Sequence, residues 1–168
     1  MSLDQHTSFA AGEETDRAAT SRILATLVQA SPLAIVSFDP EGVVTMWNPA
    51  AERIFGWSEN EALGTRLPFV PAEKQEEFRT LLRRALRGEA FTEPELHRRR
   101  ADGSPIVVSV STTPLRCPGG AVFGVLSVLM DVNEPGTDGD EEAMRQLARK
   151  VREALDRGGT MRRTFRNR

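Results

Sequence analysis

Two histidines, one cysteine and a run of three arginines are the side chains best equipped for chemistry in this sequence, and their spacing does not gather them. His6 lies in a polar leader, His97 stands among Glu95 and Arg98, Arg99 and Arg100, and Cys117 sits in the turn sequence RCPGGA. A metal site needs several such ligands at close, regular spacing, and no His-Cys or His-carboxylate pattern of that kind is present. No glycine-rich phosphate loop and no kinase or cyclase motif occurs either. The expectation is a protein that is not an enzyme. A single cysteine makes neither an internal disulfide nor a cysteine-rich metal site. The arginines of RRRADG, residues 98–103, can bind an anionic ligand or an acidic partner surface. On an edge strand the same charges discourage unwanted strand pairing.

What remains is binding in an apolar space. A sheet covered by helices can enclose a ligand between its layers. The expected wall is Trp47, Asn48, Phe55, Leu63, Phe69, Phe78 and Leu82 from the helical side, with Val110, Leu126 and Val128 from the sheet. Plain core packing is the alternative for all of them, because aromatic side chains fill a core as readily as they line a pocket.

The elements that would position these residues follow from periodicity. In VVTMWNPAAERIFG, residues 43–56, the apolar period changes from two to that of a helix. Asn48 stands at the changeover as an N-cap, Pro49 suits the first helical position, and Gly56 suits the left-handed residue that ends the helix. Before it, Leu33 to Asp39 alternates as a strand with Ala34, Val36 and Phe38 on one face and Ile35 on the other. Asp39-Pro40-Glu41-Gly42 carries the turn chemistry of a hairpin. Ser58 and Glu61 form a capping-box pattern for a short helix through Leu63. Pro71 to Leu86 is the longest helix, with Phe78, Leu81, Leu82, Ala85 and Leu86 on one side.

Three strands are then predicted. Phe91 to Arg100 is polar and edge-like, and Asp102-Gly103 is a strong hairpin signal. Pro105 to Leu115 alternates, with Val108, Val110 and Thr112 on one face. Val122 to Val132 is the most hydrophobic strand and suits a central position. Outside this region, Asp16 to Ala30 is an amphipathic helix with Ala19, Ile23, Leu27 and Ala30 on one face and Leu24 and Val28 widening it. Its apolar side must be covered by the domain or by a second subunit. Met144, Leu147, Val151 and Ala154 repeat like two heptads of a coiled-coil seam, either the start of a longer connecting helix or a tail with incidental spacing. The chain thus divides into a disordered leader at 1–15, a flanking helix at 16–31, a compact domain at 32–134, and a linker, short amphipathic helix and basic tail at 135–168.

Composition narrows the partners. The 168 residues include 39% hydrophobic and 27% charged, with a net charge of -2. That balance argues against nucleic acid as the main partner. No apolar run approaches the roughly 20 residues that cross a bilayer, and no signal peptide is evident. The expectation is a cytoplasmic fragment without membrane contact.

The order strand, strand, short helices, long helix and three strands resembles a PAS domain, and so do particular segments in register. These are SFDPEGVV, WNPAAERIFGWSENEALG, RRRADGSPIVVSVSTTPL and VFGVLSVLMDVNE, which together span roughly Val28 to Glu134. The resemblance implies an α+β fold, a five-stranded antiparallel sheet covered on one face by short helices and one long helix. It implies a sensor of a ligand, cofactor, light, redox state or partner domain that signals through flanking helices. The expected role is a regulatory sensor and dimerisation module of a multidomain bacterial signalling protein, a sensor histidine kinase above all, with its effector domain outside this chain. The expected homodimer forms through the N-terminal helix and the sheet surface. The alternative is a receptor for a small molecule held in the core.

The family's cofactors can be tested against these residues. Light-sensing members use a cysteine in a GxNCRFLQ motif; Gly64 to Phe69, GTRLPF, has none. Haem-binding members often use a histidine on the long helix, and Pro71 to Leu86 has none, so haem is disfavoured. A non-covalently held flavin stays open, and no cofactor at all is the leading expectation. Asp131 of DVNE matches the family's Asp-Ile-Thr ending, where the aspartate anchors the exit to the linker; Asn133 replaces the usual Thr.

Overall fold

The computed structural model describes residue 19, residues 21–133, and residues 146, 149 and 150. The predicted leader and the heptad seam through Met144, Leu147, Val151 and Ala154 lie outside the described residues. Of the C-terminal segment, Gln146, Arg149 and Lys150 are helical and exposed.

Five strands form one antiparallel sheet: β1 (Ala34–Phe38), β2 (Val44–Trp47), β3 (Phe91–Arg99), β4 (Pro105–Arg116) and β5 (Val122–Asp131), in the order β2-β1-β5-β4-β3. The middle position of β5 agrees with its composition, which is apolar on both faces. Cross-strand partners share a face, so the register decides which residues look inward. Val36 is opposite Trp47 on one side and Ser127 on the other, and Leu129 is opposite both Ala34 and Val110.

The inner face is covered by α2 (Pro49–Phe55), α3 (Glu59–Ala62) and α4 (Gln75–Leu86). Asn48 caps α2 from an extended conformation, and Gly56 ends it at φ 84°, where a side chain would be strained. The capping box at α3 forms: the Glu61 carboxylate accepts from the Ser58 N–H at 2.9 Å and from its hydroxyl at 2.7 Å. The long helix does not begin at Pro71 as expected. Ala72–Lys74 is a 3-10 turn whose last residue, Lys74, leaves helical geometry at φ -107° and ψ 6° and serves as the N-cap of α4.

On the opposite face of the sheet runs an N-terminal helix, α1, described over 21–30. Only one of its residues is buried. Val28 packs in a cluster with Ile35, Leu115, Leu126 and Val128, while Ile23 and Leu27 are 61% and 53% exposed. The sheet therefore has two apolar faces, and the main core, with nineteen buried residues from Ala34 to Leu129, lies on the α4 side. Among the described residues no helix is long and apolar enough to cross a membrane.

Candidate ligand-binding cavity

The helical side has two ends that are built differently. At the α2 end, Trp47, Phe55 and Phe69 interlock. Phe55 stacks on Phe69 at 4.3 Å and 13°, and Trp47 lies 5.7 and 5.8 Å from the two rings. The Trp47 indole N–H donates to the Trp57 carbonyl at 3.0 Å, so its single polar atom is satisfied. Beneath them Asn48 is fully buried and makes four hydrogen bonds. Its Oδ1 accepts from the Ile35 and Ala51 N–H groups at 2.8 and 3.0 Å, and its Nδ2 donates to the Val28 and Leu33 carbonyls at 3.0 Å each. One side chain thus ties α1, β1 and α2 together.

At the α4 end there is a hollow. Its volume is about 40 Å³, room for roughly three waters. Phe69, Phe78, Leu81, Leu82 and Ala85 close it from above; Phe38, Val110, Thr112, Val125, Ser127 and Leu129 form the floor; Leu67, Phe91, Leu96 and Arg98 complete the walls. The period of α4 explains the roof, because Phe78, Leu82 and Ala85 are spaced to face one way. Gly42 in the β1–β2 turn lets the hairpin approach that roof: a Cβ there would stand 3.1 Å from the Phe78 ring.

Of the residues expected to line a pocket, Phe69, Phe78, Leu82 and Val110 do so. Trp47, Asn48 and Phe55 do not; they are buried in the solid end, outside the cavity lining. Leu63 is a correction of a different kind, because it follows α3 at the surface and is 38% exposed. Leu126 and Val128 are the clearest correction. Their register with Ser37 and Ile35 turns them to the α1 face, and Val125, Ser127 and Leu129 face the cavity instead. A one-residue change of register inverts every side chain of a strand. In β5 both faces are apolar, so no alternation marked the inner set.

Two polar features break the apolar lining. Thr112 and Ser127, paired across β4 and β5, share a hydrogen bond at 3.2 Å on the floor. Arg98, with only 3% of its side chain exposed, reaches from β3 to α4, where Nη1 donates to Glu77 Oε1 at 2.7 Å and to its own strand's His97 carbonyl at 2.8 Å. The other Glu77 oxygen meets Lys74 at 3.3 Å. Burial pushes the Glu77 carboxyl up, but the bonds and charges of Arg98 and Lys74 outweigh it and leave the pKa lowered.

The three arginines of RRRADG therefore have three different fates. Arg98 is buried against the cavity, Arg99 pairs with Glu73 at the surface at 3.1 Å, and Arg100 reaches Asp131 at 2.7 Å and the Ile54 carbonyl at 2.9 Å. Asp131 is itself 5% exposed and accepts from the Asn133 N–H at 2.9 Å, so the end of β5 is anchored to the β3–β4 hairpin. The other end of α4 is held by Arg84, which meets Glu93 at 2.7 Å and lies 4.2 Å over the Phe91 ring.

The cofactors of the sequence reading fare unevenly against this geometry. The hollow, at about 40 Å³, is much smaller than the roughly 300 Å³ typical of pockets that hold drug-sized ligands. His97 is exposed and points from β3 away from Leu96 and Arg98, which line the hollow. Cys117 stands in the β4–β5 turn, outside the lining. Among the described residues no group of three or more metal-binding side chains comes together.

No match was found among curated proteins. Among solved structures, the LOV protein of Rhodobacter sphaeroides superposes with a TM-score of 0.63 at 21% identity, covering 86% of this chain and 84% of that one. The PAS domain of an HTR-like protein from Haloarcula marismortui gives 0.59 at 25% identity, over 73% of this chain and 99% of that one. A domain of a sensory box sensor histidine kinase/response regulator from Geobacter sulfurreducens gives 0.56 at 24% identity, over 66% and 93%. A family model described as the PAS fold matches residues 28–135. With the sheet order, the helical cover and this match in agreement, the chain belongs to the PAS-fold family.

Proposed function

We propose that this domain is the sensory and dimerising module of a multidomain bacterial signal-transduction protein, a sensor histidine kinase being the favoured context, and that it works in the cytoplasm without catalysing a reaction itself. The observation that carries the reading is how α1 is divided. Val28 seats the helix on the outer sheet face, whereas Ile23 and Leu27 turn large apolar surface outward. A monomer gains nothing from that exposure, and a second copy that covers it does. Family membership supports the sensory role, and the anchored end of β5 at Asp131 supports a signal leaving through the segment that follows.

The test is the solution mass of the full chain by light scattering. A dimer is expected, and the double substitution Ile23→Glu with Leu27→Glu is expected to yield monomers that keep the native circular dichroism. An unchanged oligomeric state in the double variant would remove the role given to α1.

The cavity favours a second component of the same reading, a small-molecule receptor. Its walls are mostly apolar and its volume is modest, which suits a compact ligand better than a large cofactor. An absorbance spectrum and a native mass of the purified chain separate a bound chromophore from a colourless protein.

A further inference from the structure

A charged side chain at the wall of an apolar cavity is costly to keep. A buried ion pair is on balance neutral or unfavourable beside two apolar residues of the same size, because both ions must be stripped of water. Arg98 sits opposite Ile106 on the inner face of β3 and β4, where its strand neighbour Leu96 and partner Ile106 are buried and apolar. Packing alone calls for another aliphatic residue there. The arginine instead presents a guanidinium with five N–H donors, of which Nη1 alone makes the two hydrogen bonds to Glu77 and His97.

Its partner is arranged to let go. Arg98 is 3% exposed, but Glu77 is 34% exposed and is already shared with Lys74 at 3.3 Å. If another carboxylate took the guanidinium, Glu77 would keep a cation and regain water. No buried charge would be left alone, which is the condition that makes such an exchange affordable. The rest of the lining offers a snug apolar sleeve from Leu82, Val110 and Leu129, with the Thr112–Ser127 hydroxyl pair in the floor.

We propose that this cavity is a receptor site for a small carboxylate with a short apolar body, held by Arg98 in place of Glu77. The inference rests on the sensory reading above and names its ligand class. The exchange also supplies a signal. Glu77 lies on α4 and Arg98 on β3, so handing the guanidinium to a ligand releases one of the ties between the helix and the sheet. The ties of Arg84 to Glu93 at the far end and of Arg99 to Glu73 just before the helix stay, so the change is confined to the stretch of α4 around Glu77.

The experiment uses the full chain with labelled methyl groups, and propanoate, propanamide and propan-1-ol as probes followed by NMR. Propanoate is expected to shift the methyls of Leu82, Val110 and Leu129 saturably, with no comparable effect from propanamide or propan-1-ol. Glu77→Gln removes the competing carboxylate and keeps the hydrogen-bonding shape; it is expected to bind propanoate about tenfold more tightly, a change of about 1.4 kcal/mol. Arg98→Met is expected to bind it at least about tenfold more weakly, and if that variant fails to fold, Arg98→Lys and Glu77→Gln carry the test. Equal binding of propanoate and propan-1-ol would overturn the anionic class while leaving an apolar receptor in place. Absence of any cavity shift, or propanoate affinity unmoved in both the Arg98 and Glu77 variants, would overturn the site altogether, and the dimer measured by light scattering would be untouched by that result.

Discussion

The α2 end and the α4 end of the helical cover rest on the same sheet and are built to opposite specifications. Around Asn48, the rings of Trp47, Phe55 and Phe69 pack on one another, and every polar atom of the asparagine side chain has a partner. Around Arg98, the roof of α4 stands off the floor, and polar groups meet at the wall. The first arrangement fixes one geometry, since a fully satisfied buried network has no alternative state of similar energy. The second keeps an exchangeable ion pair and room for a guest. The contrast teaches that the cover is pinned at one end and leaves a hollow at the other, which is what a domain needs if it is to take up a ligand without unfolding.

The largest effect that can break this comparison is expected at the clamp. Asn48→Ala strands the buried N–H groups of Ile35 and Ala51 and leaves the Val28 and Leu33 carbonyls only their Ser31 donors, and should cost about 4 kcal/mol or more. Chemical denaturation of the two proteins measures it. A loss of only about 1 kcal/mol would mean that the four bonds do not clamp the cover to the sheet.

Next come paired truncations, one at each end. Phe55→Ala removes a ring stacked on Phe69 and should cost about 4 kcal/mol. Leu82→Ala removes a side chain that already borders open space, so fewer contacts are lost, and about 2 kcal/mol is expected. If the two costs were equal, the α4 end would be as tightly packed as the α2 end, and the distinction would fall.

The smallest effect is the acid dependence of the Arg98–Glu77 tie. The Glu77 pKa is lowered on folding, so the unfolded chain takes up its proton more readily. Its contribution is therefore present above the ordinary carboxylate pKa and is lost as pH falls through the lowered folded value. The partial exposure of Glu77 keeps the contribution small. Comparing the native chain with Glu77→Gln by denaturation at pH 7 and pH 3 should show a stability difference that shrinks in acid. A difference independent of pH would place the ionised carboxylate outside the energetics of the helix.

Local signals in the sequence proved sufficient wherever a residue's task is carried out within a few positions of it. The cap at Asn48, the stop at Gly56 and the Ser58–Glu61 box are of this kind, and so is the inward face of β1, where Ala34, Val36 and Phe38 alternate with residues of the other face. Thr112 could have been found as well, because it shares its alternation with Val110. Leu63 misled because an apolar residue ending a short helix reads the same whether it turns in or out, and here it turns out.

β5 and the arginine run show where such signals stop. In VFGVLSVLMD both faces are apolar, so the strand's inner set is fixed only by its pairing with β1 and β4, which turns Ser127 inward and Leu126 and Val128 outward. The arginines are adjacent in sequence and identical in type, yet burial, surface pairing and the anchoring of Asp131 are divided among them by what the third dimension places opposite each one: Glu77, Glu73 and the end of β5.

By itself the sequence determined the order of the elements, their caps and turns, and through them the PAS fold, because these depend on the period of apolar residues and on backbone preferences that act over a few residues. The tertiary structure alone decided that the switch from strand to helix at Asn48 is a solid clamp, that the hollow lies under α4, and that one of three equal arginines faces it. The reason is physical: burial and charge pairing are properties of neighbours brought together from distant parts of the chain, and for a strand buried on both faces, or a run of like charges, the sequence holds no contrast from which to foresee them.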